Sequence, residues 1–422
     1  MKILVVGSGG REHALVWKLK SNPRVKKIYC APGNGGIAAL AECVDIKADD
    51  IVALADFAHQ EKIDVTVVGP EASLVEGIVD LFEEEGLKVF GPSMAAARLE
   101  GSKVFAKNFM KRWDIPTARF ATFRDATAAL AYLADQAYPL VVKASGLAGG
   151  KGVVICKSRV EAEEAVGQIM NEKIFKDAGN NLVIEEFLEG EEASILAIAD
   201  GKSFIVLESS QDHKRIFDDD LGPNTGGMGA YSPAPVVTPK ILKQITDDII
   251  RPVIEGMAEE ESPFKGILYA GVMLTKDGPK VLEFNTRFGD PEAQAVLPRL
   301  KSDLLDVIMA SIEGRLAGTE LEWDTRPCVC VVMAAGGYPG NSASGREIKG
   351  LDQVSADAIV FHAGTKKVED KIVTSGGRVL GVTAMGKDIG DALNRVYAQV
   401  HKITFEGVHF RKDIAKRALD RA

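Results

Sequence analysis

The sequence predicts a multidomain protein of mixed α/β and α+β class, with a parallel-sheet domain first and a small α+β domain last. Strand-like and helix-like segments alternate through residues 1–100, which is typical of parallel sheets joined by helical crossovers. A glycine-rich loop then joins two apolar strands between residues 139 and 156. The 422 residues have room for about two to four domains of ordinary size.

The composition argues against several classes of protein. Hydrophobic residues make up 46% of the chain and charged residues 26%, as in ordinary globular proteins. The net charge of −9 argues against a nucleic-acid-binding protein, whose surface would be basic. No apolar run approaches the ~20 residues of a membrane-spanning helix. The five cysteines form no Cys-x-x-Cys pair, and residues 1–7 have the pattern of a first strand, not of a signal peptide. We therefore expect a cytoplasmic protein.

The first predicted domain, residues 1–101, is Rossmann-like and carries a glycine-rich turn after its first strand. The dinucleotide fingerprint Gly-x-Gly-x-x-Gly fails there, because Glu12 holds its last glycine position. The second strand, residues 27–31, also lacks the acidic residue that would bind a ribose. Gly9, Gly10 and Arg11 could still bind an anion such as a sugar phosphate at the helix N-terminus. The alternative is a tight turn without a ligand. Loops at residues 32–36 and 69–71 follow other strands of the same sheet, so we expect all three loops at one edge.

The second predicted domain, residues 102–325, divides into a small lid (about 118–190) and a larger part (about 191–325). Lys143 ends an apolar strand, and the loop that follows is rich in glycine. Gly152 stands where a Walker A loop has Ser or Thr, and the loop leads into a strand. Such a hairpin can fold over a triphosphate as a lid; the alternative is a mobile surface hairpin.

Two further segments of this domain carry polar groups. Residues 181–192 predict a buried strand and a hinge, whose backbone can contact an adenine edge, with a carboxylate further on that can bind ribose hydroxyls. Residues 211–231 crowd charged residues and glycines into irregular structure, which often carries function. His213 lies within that block, and a positioning or structural role competes there with a chemical one.

The segment around residue 285 has the most distinctive pattern. Glu283, Asn285 and Arg287 alternate at the end of a predicted strand and would project to one side. A carboxylate and an amide oxygen suit Mg²⁺, and a guanidinium suits phosphate. The alternative is an exposed strand with an ordinary ion pair. The third predicted domain, residues 326–422, shows no catalytic cluster.

Several motifs together resemble one family. They are Gly-Ser-Gly-Gly-Arg-Glu-His-Ala at 7–14, Gly-Pro-Glu at 69–71, Leu-Glu-Gly-Ser-Lys at 99–103, Asp-His-Lys-Arg at 212–215, Pro-Asn-Thr-Gly-Gly-Met-Gly-Ala-Tyr at 223–231 and Arg-Phe-Gly-Asp-Pro-Glu at 287–292. They resemble the phosphoribosylamine–glycine ligases, also called glycinamide ribonucleotide synthetases, over essentially the full chain. The resemblance implies an ATP-grasp fold and a bacterial enzyme of purine synthesis. Such an enzyme joins glycine to 5-phosphoribosylamine through glycyl phosphate, using ATP and Mg²⁺ or Mn²⁺.

The resemblance also implies roles for individual residues. Glu283 and Asn285 would hold the metal, and Arg287, Asp212 and Lys214 would be catalytic. The expected ATP contacts are Lys103, Lys143, Ser145, Gly146, Gly149, Gly150, Lys151, Gly152, Glu185, Phe187, Leu188 and Glu192. The expected substrate contacts are Gly9, Gly10, Arg11, Asp212, Asn224, Thr225, Gly226 and Thr286.

Three alternatives remain at this stage. One is an ATP-grasp ligase for another carboxylate and amine. The others are a nicotinamide dehydrogenase, weakened by the failed fingerprint, and a non-catalytic nucleotide-binding regulator. We expect a monomer that acts on small molecules, without nucleic-acid or membrane partners.

Overall fold

Residues 1–147 and 152–421 are described by the structure, a computed structural model of the chain. Gly149, Gly150 and Lys151, expected to contact ATP, lie outside these residues. Four principal sheets organise the described part of the chain. None of its helices is both long and apolar enough to cross a membrane.

The N-terminal unit alternates strands and helices, as its sequence pattern predicts. Its elements are β1 (Lys2–Gly7), α1 (Gly10–Lys20), β2 (Lys27–Pro32), β3 (Glu42–Cys43), α2 (Ile51–Glu61), β4 (Val65–Val68), α3 (Glu71–Val75), α4 (Ile78–Glu84), β5 (Val89–Phe90) and α5 (Met94–Gly101). The strands form one parallel sheet in the order β3-β2-β1-β4-β5. The amide of Gly33 donates to Gly7 O at 3.1 Å, and that of Gly69 to Val6 O at 3.0 Å. The three loops expected at one edge of the sheet therefore meet there.

The next segment forms a four-stranded sheet, called here the lid sheet. Its elements are α6 (Lys103–Arg112), β6 (Phe120–Phe123), α7 (Ala126–Leu133), β7 (Leu140–Ala144), β8 (Val153–Cys156), α8 (Arg159–Val166) and β9 (Leu182–Glu186). The strands are antiparallel in the order β6-β9-β7-β8. Ser102 caps α6 by accepting a hydrogen bond from the Phe105 amide at 3.2 Å. The glycine-rich loop joins β7 to β8, two paired antiparallel strands, as expected from the sequence.

The following residues build the large sheet. Their elements are β10 (Glu191–Asp200), β11 (Phe204–Val206), β12 (Gln211–Asp212), β13 (Arg215–Phe217), β14 (Leu221–Asn224), β15 (Gly229–Ser232), α9 (Pro239–Ile245), α10 (Arg251–Glu259), β16 (Lys265–Thr275) and β17 (Gly278–Asn285). The large sheet is antiparallel, in the order β11-β10-β16-β17. A π-helical turn, Thr246–Ile250, joins α9 to α10 just before Pro252.

The C-terminal unit completes the fold with a fourth sheet. Its elements are α11 (Glu292–Val296), α12 (Leu304–Ile312), β18 (Cys328–Ala334), β19 (Ala358–His362), β20 (Thr365–Val368), β21 (Lys371–Thr374), β22 (Arg378–Met385), α13 (Ile389–Val400) and α14 (Lys416–Leu419). The order of this C-terminal sheet is β12-β15-β18-β22-β19. Because β15 pairs with β18, the expected domain boundary at residues 325/326 runs between two strands of one sheet.

Candidate active site

A cavity of about 920 Å³ lies where the lid sheet, the large sheet and the two terminal units meet. Its volume is in the upper part of the range for small-molecule sites, ~300–1,000 Å³. Residues from distant parts of the chain, such as Arg11, Lys143, Glu283 and Arg378, line it. A ligand there would contact several structural units at once.

The end of β17 supplies the row of polar groups that the sequence predicts. Glu283 lies opposite Gly271 in the large sheet and Asn285 opposite Tyr269, and both Glu283 and Asn285 line the cavity. Arg287 also lines the cavity, but it follows the strand by two residues and is not part of it. Its Nη2 donates to Asn285 Oδ1 at 3.0 Å, which keeps the row together beyond the strand end.

Two carboxylates hold the Arg287 guanidinium. Nη2 lies 2.8 Å from Glu100 Oε1, and Nε lies 3.2 Å from Glu71 Oε2. Burial raises the pKa of Glu100, although Arg287 opposes that shift. Burial also favours the neutral form of Glu71, but Arg287 and Arg11 outweigh it and lower the pKa of that carboxyl. No short-range sequence signal links Glu71 and Glu100 to Arg287, because they come from α3 and α5.

Thr286 belongs to the same arrangement. Its amide and hydroxyl donate to Glu100 Oε2 at 2.7 and 3.2 Å. The residue is buried, follows the last residue of β17 and is not among those that line the cavity. Its contact in this structure is with Glu100, and its role as a substrate contact stays a prediction.

The lid sheet contributes a buried carboxylate between two lysines. Glu185, only 4% exposed, pairs with Lys143 Nζ, and its Oε2 lies 2.5 Å from Lys107 Nζ. Burial lowers the pKa of Lys107 to about 8, whereas the two lysines lower the pKa of Glu185 against its burial. Glu185, expected to bind the nucleoside, is thus engaged by two cations and is suited to positioning Lys143. Lys107 was not predicted as a site residue, because it looks like an ordinary lysine of the helix α6.

The glycine-rich loop reaches the cavity at both of its described ends. Gly146 and Gly152 line it, beside the half-buried Lys103 at the start of α6. Burial lowers the pKa of Lys103, and Glu283 opposes that shift. Ser145 does not line the cavity, because its Oγ accepts a hydrogen bond from the Val104 amide at 3.0 Å and secures the first turn of α6.

The hinge after β9 and the polar block after β11 face each other across the cavity. Phe187, Leu188 and Glu192 line it from the hinge side. Lys214 Nζ lies 2.7 Å from Glu192 Oε2 and 3.9 Å from Glu283 Oε1. Despite burial, the carboxylates of Glu192, Asp212 and Glu283 hold the pKa of Lys214 well above its usual value.

Asp212 lines the same region of the cavity. Burial raises its pKa to about 8; Lys214 opposes this shift, and the neighbouring carboxylates of Glu292, Glu192 and Glu283 add to it. His213, between these two residues, points elsewhere: its Nε2 accepts a hydrogen bond from the Ala415 amide at 3.3 Å. Burial, with Arg411 and Arg417 nearby, lowers the pKa of His213 to about 4. A structural role therefore fits His213 best.

Two backbone amides of the turn at the start of α1 are bonded to carboxylates. The Gly9 amide donates to Glu12 Oε2 at 2.5 Å, and the Arg11 amide to Asp290 Oδ2 at 3.3 Å. These carboxylates occupy backbone donors that were expected to bind a phosphate. Gly10 packs so closely against Gln294 that a Cβ would lie 2.4 Å from its Nε2. Of Gly9, Gly10 and Arg11, only Arg11 lines the cavity.

The C-terminal unit, in which the sequence shows no catalytic cluster, supplies Arg378 to the cavity. Its Nη1 donates to Gly226 O at 2.7 Å and to Asp290 O at 2.6 Å, and lies 3.2 Å from Asp290 Oδ1. Arg378 therefore ties the loop of Asn224, Thr225 and Gly226, which lines the cavity as expected, to Asp290. Arg378 was not predicted as a site residue, because it is an isolated arginine at the start of a strand and belongs to no motif in the sequence.

Comparisons with known proteins agree over nearly the whole chain. Models of the phosphoribosylglycinamide synthetase N domain, ATP-grasp (A) domain and C domain match residues 1–100, 101–293 and 328–417. A phosphoribosylamine–glycine ligase of Caldanaerobacter subterraneus is 52% identical over 415 residues, which is 98% of this chain and 99% of that protein. One from Escherichia coli is 52% identical over 426 residues, covering 100% and 99%.

Solved structures give the same picture of the fold. A phosphoribosylamine–glycine ligase of Thermotoga maritima matches with a TM-score of 0.85 and 32% identity, over 98% of this chain and 100% of that one. A biotin carboxylase–β,γ-ATP complex of Campylobacter jejuni matches with a TM-score of 0.76 over 98% and 93% of the two chains. At 15% identity, the second likeness concerns the fold alone.

Proposed function

Because the chain belongs to the phosphoribosylglycinamide synthetase family, we propose that it ligates glycine to 5-phosphoribosylamine with cleavage of ATP. The products are glycinamide ribonucleotide, ADP and phosphate. The observation that carries this proposal is the single cavity in which Lys103 and Lys143 face the row of Glu283, Asn285 and Arg287. This cavity therefore contains cations suited to a polyphosphate, ligands suited to a metal ion, and a guanidinium held in a fixed position.

ATP would lie between the lid sheet and the large sheet. Phe187 and Leu188 at the hinge would contact the adenine, and Glu192 would accept hydrogen bonds from the ribose. Lys103 and Lys143 would neutralise phosphate charge, with Glu185 and Lys107 fixing the position of Lys143. The described ends of the glycine-rich loop, Gly146 and Gly152, are placed to bring the loop over the phosphates.

The donor set at the end of β17 fits a hard divalent cation, Mg²⁺ or Mn²⁺. Lys214, Lys103 and Lys143 lower the pKa of Glu283 against its burial, so its carboxylate is ionised at neutral pH. Asn285 Oδ1 accepts one hydrogen bond from Arg287 and keeps a second lone pair. Mg²⁺ on nucleotide phosphates commonly uses one or two protein carboxylates and the phosphates themselves. The described residues contain no group of three or more His, Cys, Asp or Glu side chains placed to hold a metal. When bound, the ion would neutralise charge on the transferring phosphate.

The reaction needs no nucleophile from the protein. A carboxylate oxygen of glycine attacks the γ-phosphorus, ADP leaves, and glycyl phosphate forms. The uncharged amine of phosphoribosylamine then attacks the acyl carbon; the new C–N bond forms, and the carbon–oxygen bond to phosphate breaks. Arg287, held on two sides by Glu71 and Glu100, would stabilise the charge that develops on the transferring phosphoryl group.

The second substrate would lie at the other end of the cavity. Asn224, Thr225 and Gly226 face it there, with Arg11 and Arg378 as nearby cations. The occupied amides of Gly9 and Arg11 leave the Arg11 side chain as the part of the first turn that could approach a sugar phosphate.

The acidic net charge of −9 and the small-molecule cavity support an enzyme that acts without nucleic acid. We place it in the cytoplasm as a monomer.

The direct test is product formation from defined substrates. The purified protein, incubated with ATP, Mg²⁺, glycine and freshly prepared phosphoribosylamine, should release ADP and form glycinamide ribonucleotide, detected by mass spectrometry. Omitting glycine or phosphoribosylamine should abolish the product. Product formation with another amino acid but not with glycine would instead indicate a different ATP-grasp ligase.

A further inference from the structure

The carboxylates that line the cavity fall into two groups. Almost all have a lysine or arginine nitrogen within salt-bridge distance: for example, Glu185 pairs with Lys143, and Asp290 with Arg378. The remaining cavity carboxylates that pair in this way are Glu71, Glu100, Glu186, Glu191, Glu192, Asp220 and Glu283. Asp212 and Glu292 line the same cavity, and neither has such a partner among residues 1–147 and 152–421.

Glu292 is built into the wall of the cavity in a specific orientation. It is 3% exposed, and its Oε1 accepts hydrogen bonds from Tyr269 Oη at 3.0 Å and Ser194 Oγ at 3.2 Å. The two hydroxyl oxygens lie 2.9 Å apart, and each uses its single proton for Glu292 in this arrangement. Both donors are neutral, and Oε2 has no hydrogen-bond partner in the described part of the chain. A buried carboxylate held this way favours a cation that arrives with the ligand.

Asp212 lies near enough to interact with Glu292. The Glu292 charge contributes to the upward shift of the Asp212 pKa, and this repulsion would disappear if a cation were bound between the two groups. Ser194, which holds Glu292, is also tied to the segment just before Asp212, since its amide donates to Ser210 O at 2.8 Å. The large sheet and the C-terminal sheet thus bring the two carboxylates together.

We propose that Glu292 and Asp212 together bind the ammonium group of glycine. This inference rests on the proposed function, in which glycine is the substrate that carries both a carboxylate and an ammonium group. An ammonium group donates three hydrogen bonds and can therefore bond to both carboxylates at once. The attacking amine of phosphoribosylamine must be uncharged, so it has less need of such a site.

The same contact would keep the nitrogen of the bound glycine protonated. Two carboxylates stabilise the ammonium form, because an opposite charge nearby favours the charged state of an amine. The glycyl phosphate formed in this site would then be held by its ammonium group while the amine of phosphoribosylamine attacks the acyl carbon.

The test combines a protein change with a matching change in the ligand. Glu292→Gln keeps the shape and the acceptor for Tyr269 and Ser194 but removes the charge. We expect the KM for glycine to rise about 10- to 100-fold, the value of a charge-assisted hydrogen bond, with the KM for ATP changing less than about threefold. Glycolate, which has a hydroxyl in place of the ammonium group, should inhibit competitively against glycine, and its inhibition constant should change less than about threefold in the variant.

Glu191→Gln is the matched control, since Glu191 lines the same cavity but already pairs with Arg421. Its glycine KM should stay within about twofold of the wild type. Equal weakening of glycine and glycolate by Glu292→Gln would indicate a structural effect and overturn the inference, as would an unchanged glycine KM. A raised Mg²⁺ requirement with normal glycine affinity would assign Glu292 to the metal and also overturn it.

Two further measurements do not depend on the folding of that variant. Asp212→Asn should also raise the glycine KM more than the glycolate inhibition constant. In the wild-type protein, glycolate should bind at least about 100-fold more weakly than glycine, and similar affinities would overturn the inference.

Absence of any glycine-dependent ADP release in the wild type would refute the proposed function itself. Normal product formation with an unaltered glycine KM in Glu292→Gln would refute only this inference.

Discussion

Replacing Arg287 by alanine should impair both turnover and stability, for separate reasons. The guanidinium is the fixed cation at the end of the metal-ligand row, and removing a preorganised donor of this kind costs about 10²- to 10³-fold in kcat. The change also leaves two carboxylates without their partner. Glu71 is partly exposed, so water can replace much of its interaction, but Glu100 is deeply buried. Most of the stability loss, about 3 kcal/mol near neutral pH, should therefore come from Glu100.

The pH dependence of that stability loss identifies its cause. Burial already raises the pKa of Glu100 in the wild type, and removing Arg287 should raise it further. Between the pKa of an unfolded glutamate, ~4.3, and the raised folded pKa, the folded state binds more protons than the unfolded state. Stability therefore falls as pH rises through this window. The variant should lose more stability relative to the wild type at pH 8 than at pH 5.5.

Two assays separate the effects. ADP release at saturating substrates measures kcat, and chemical denaturation at pH 5.5 and pH 8 measures the free energy of unfolding. Arg326→Ala is the control, since Arg326 is an exposed arginine paired with Asp324 and should change neither quantity measurably. A kcat within about threefold of the wild type would refute the role of Arg287 in catalysis. An equal stability loss at both pH values would refute the assignment of that loss to Glu100.

Three further substitutions test other parts of the site. Glu283→Gln should raise the Mg²⁺ concentration needed for half-maximal activity by about 10-fold or more, because a charged ligand is lost; titration of activity with Mg²⁺ checks this, and an unaltered requirement would place the metal elsewhere. Lys107→Met should raise the KM for ATP about 10-fold. Glu185 would then have Lys143 as its one lysine partner and would draw it away from the phosphates of ATP. An unchanged KM for ATP would show that the position of Lys143 does not depend on Lys107. Arg378→Ala should raise the KM for phosphoribosylamine by about 10-fold and that for ATP by less, because the loop at Gly226 loses its tie to Asp290; a selective effect on ATP would contradict this.

Local sequence patterns predicted much of the fold, and the reasons are physical. Alternating apolar strands and helices indicated the parallel N-terminal sheet. Period-two alternation put Glu283 and Asn285 on the same face of β17. Thr286 follows the strand and bonds to Glu100, a contact that no local pattern predicts.

The missed parts of the site depend on contacts between distant residues. Arg287 is held by Glu71 and Glu100, and Arg378 meets Asp290 only because the C-terminal sheet packs against the segment before α11. Glu185 has the pattern of a hinge carboxylate, yet α6 places Lys107 next to it. The amides of the first turn appeared available because nothing local predicts that Asp290 would reach them. These contacts are decided by packing between units, which residue spacing does not encode.

In the proposed reaction, the carboxylate of glycine is activated by phosphorylation within this cavity, so one of its oxygen atoms must end in the released phosphate. Glycine labelled with ¹⁸O in its carboxylate is incubated with the protein, ATP, Mg²⁺ and phosphoribosylamine, and the released phosphate is analysed by mass spectrometry. We expect each phosphate to carry one oxygen atom from glycine, because the oxygen that attacks the γ-phosphorus leaves with it. Phosphate without the label, released together with glycinamide ribonucleotide, would contradict activation by phosphorylation.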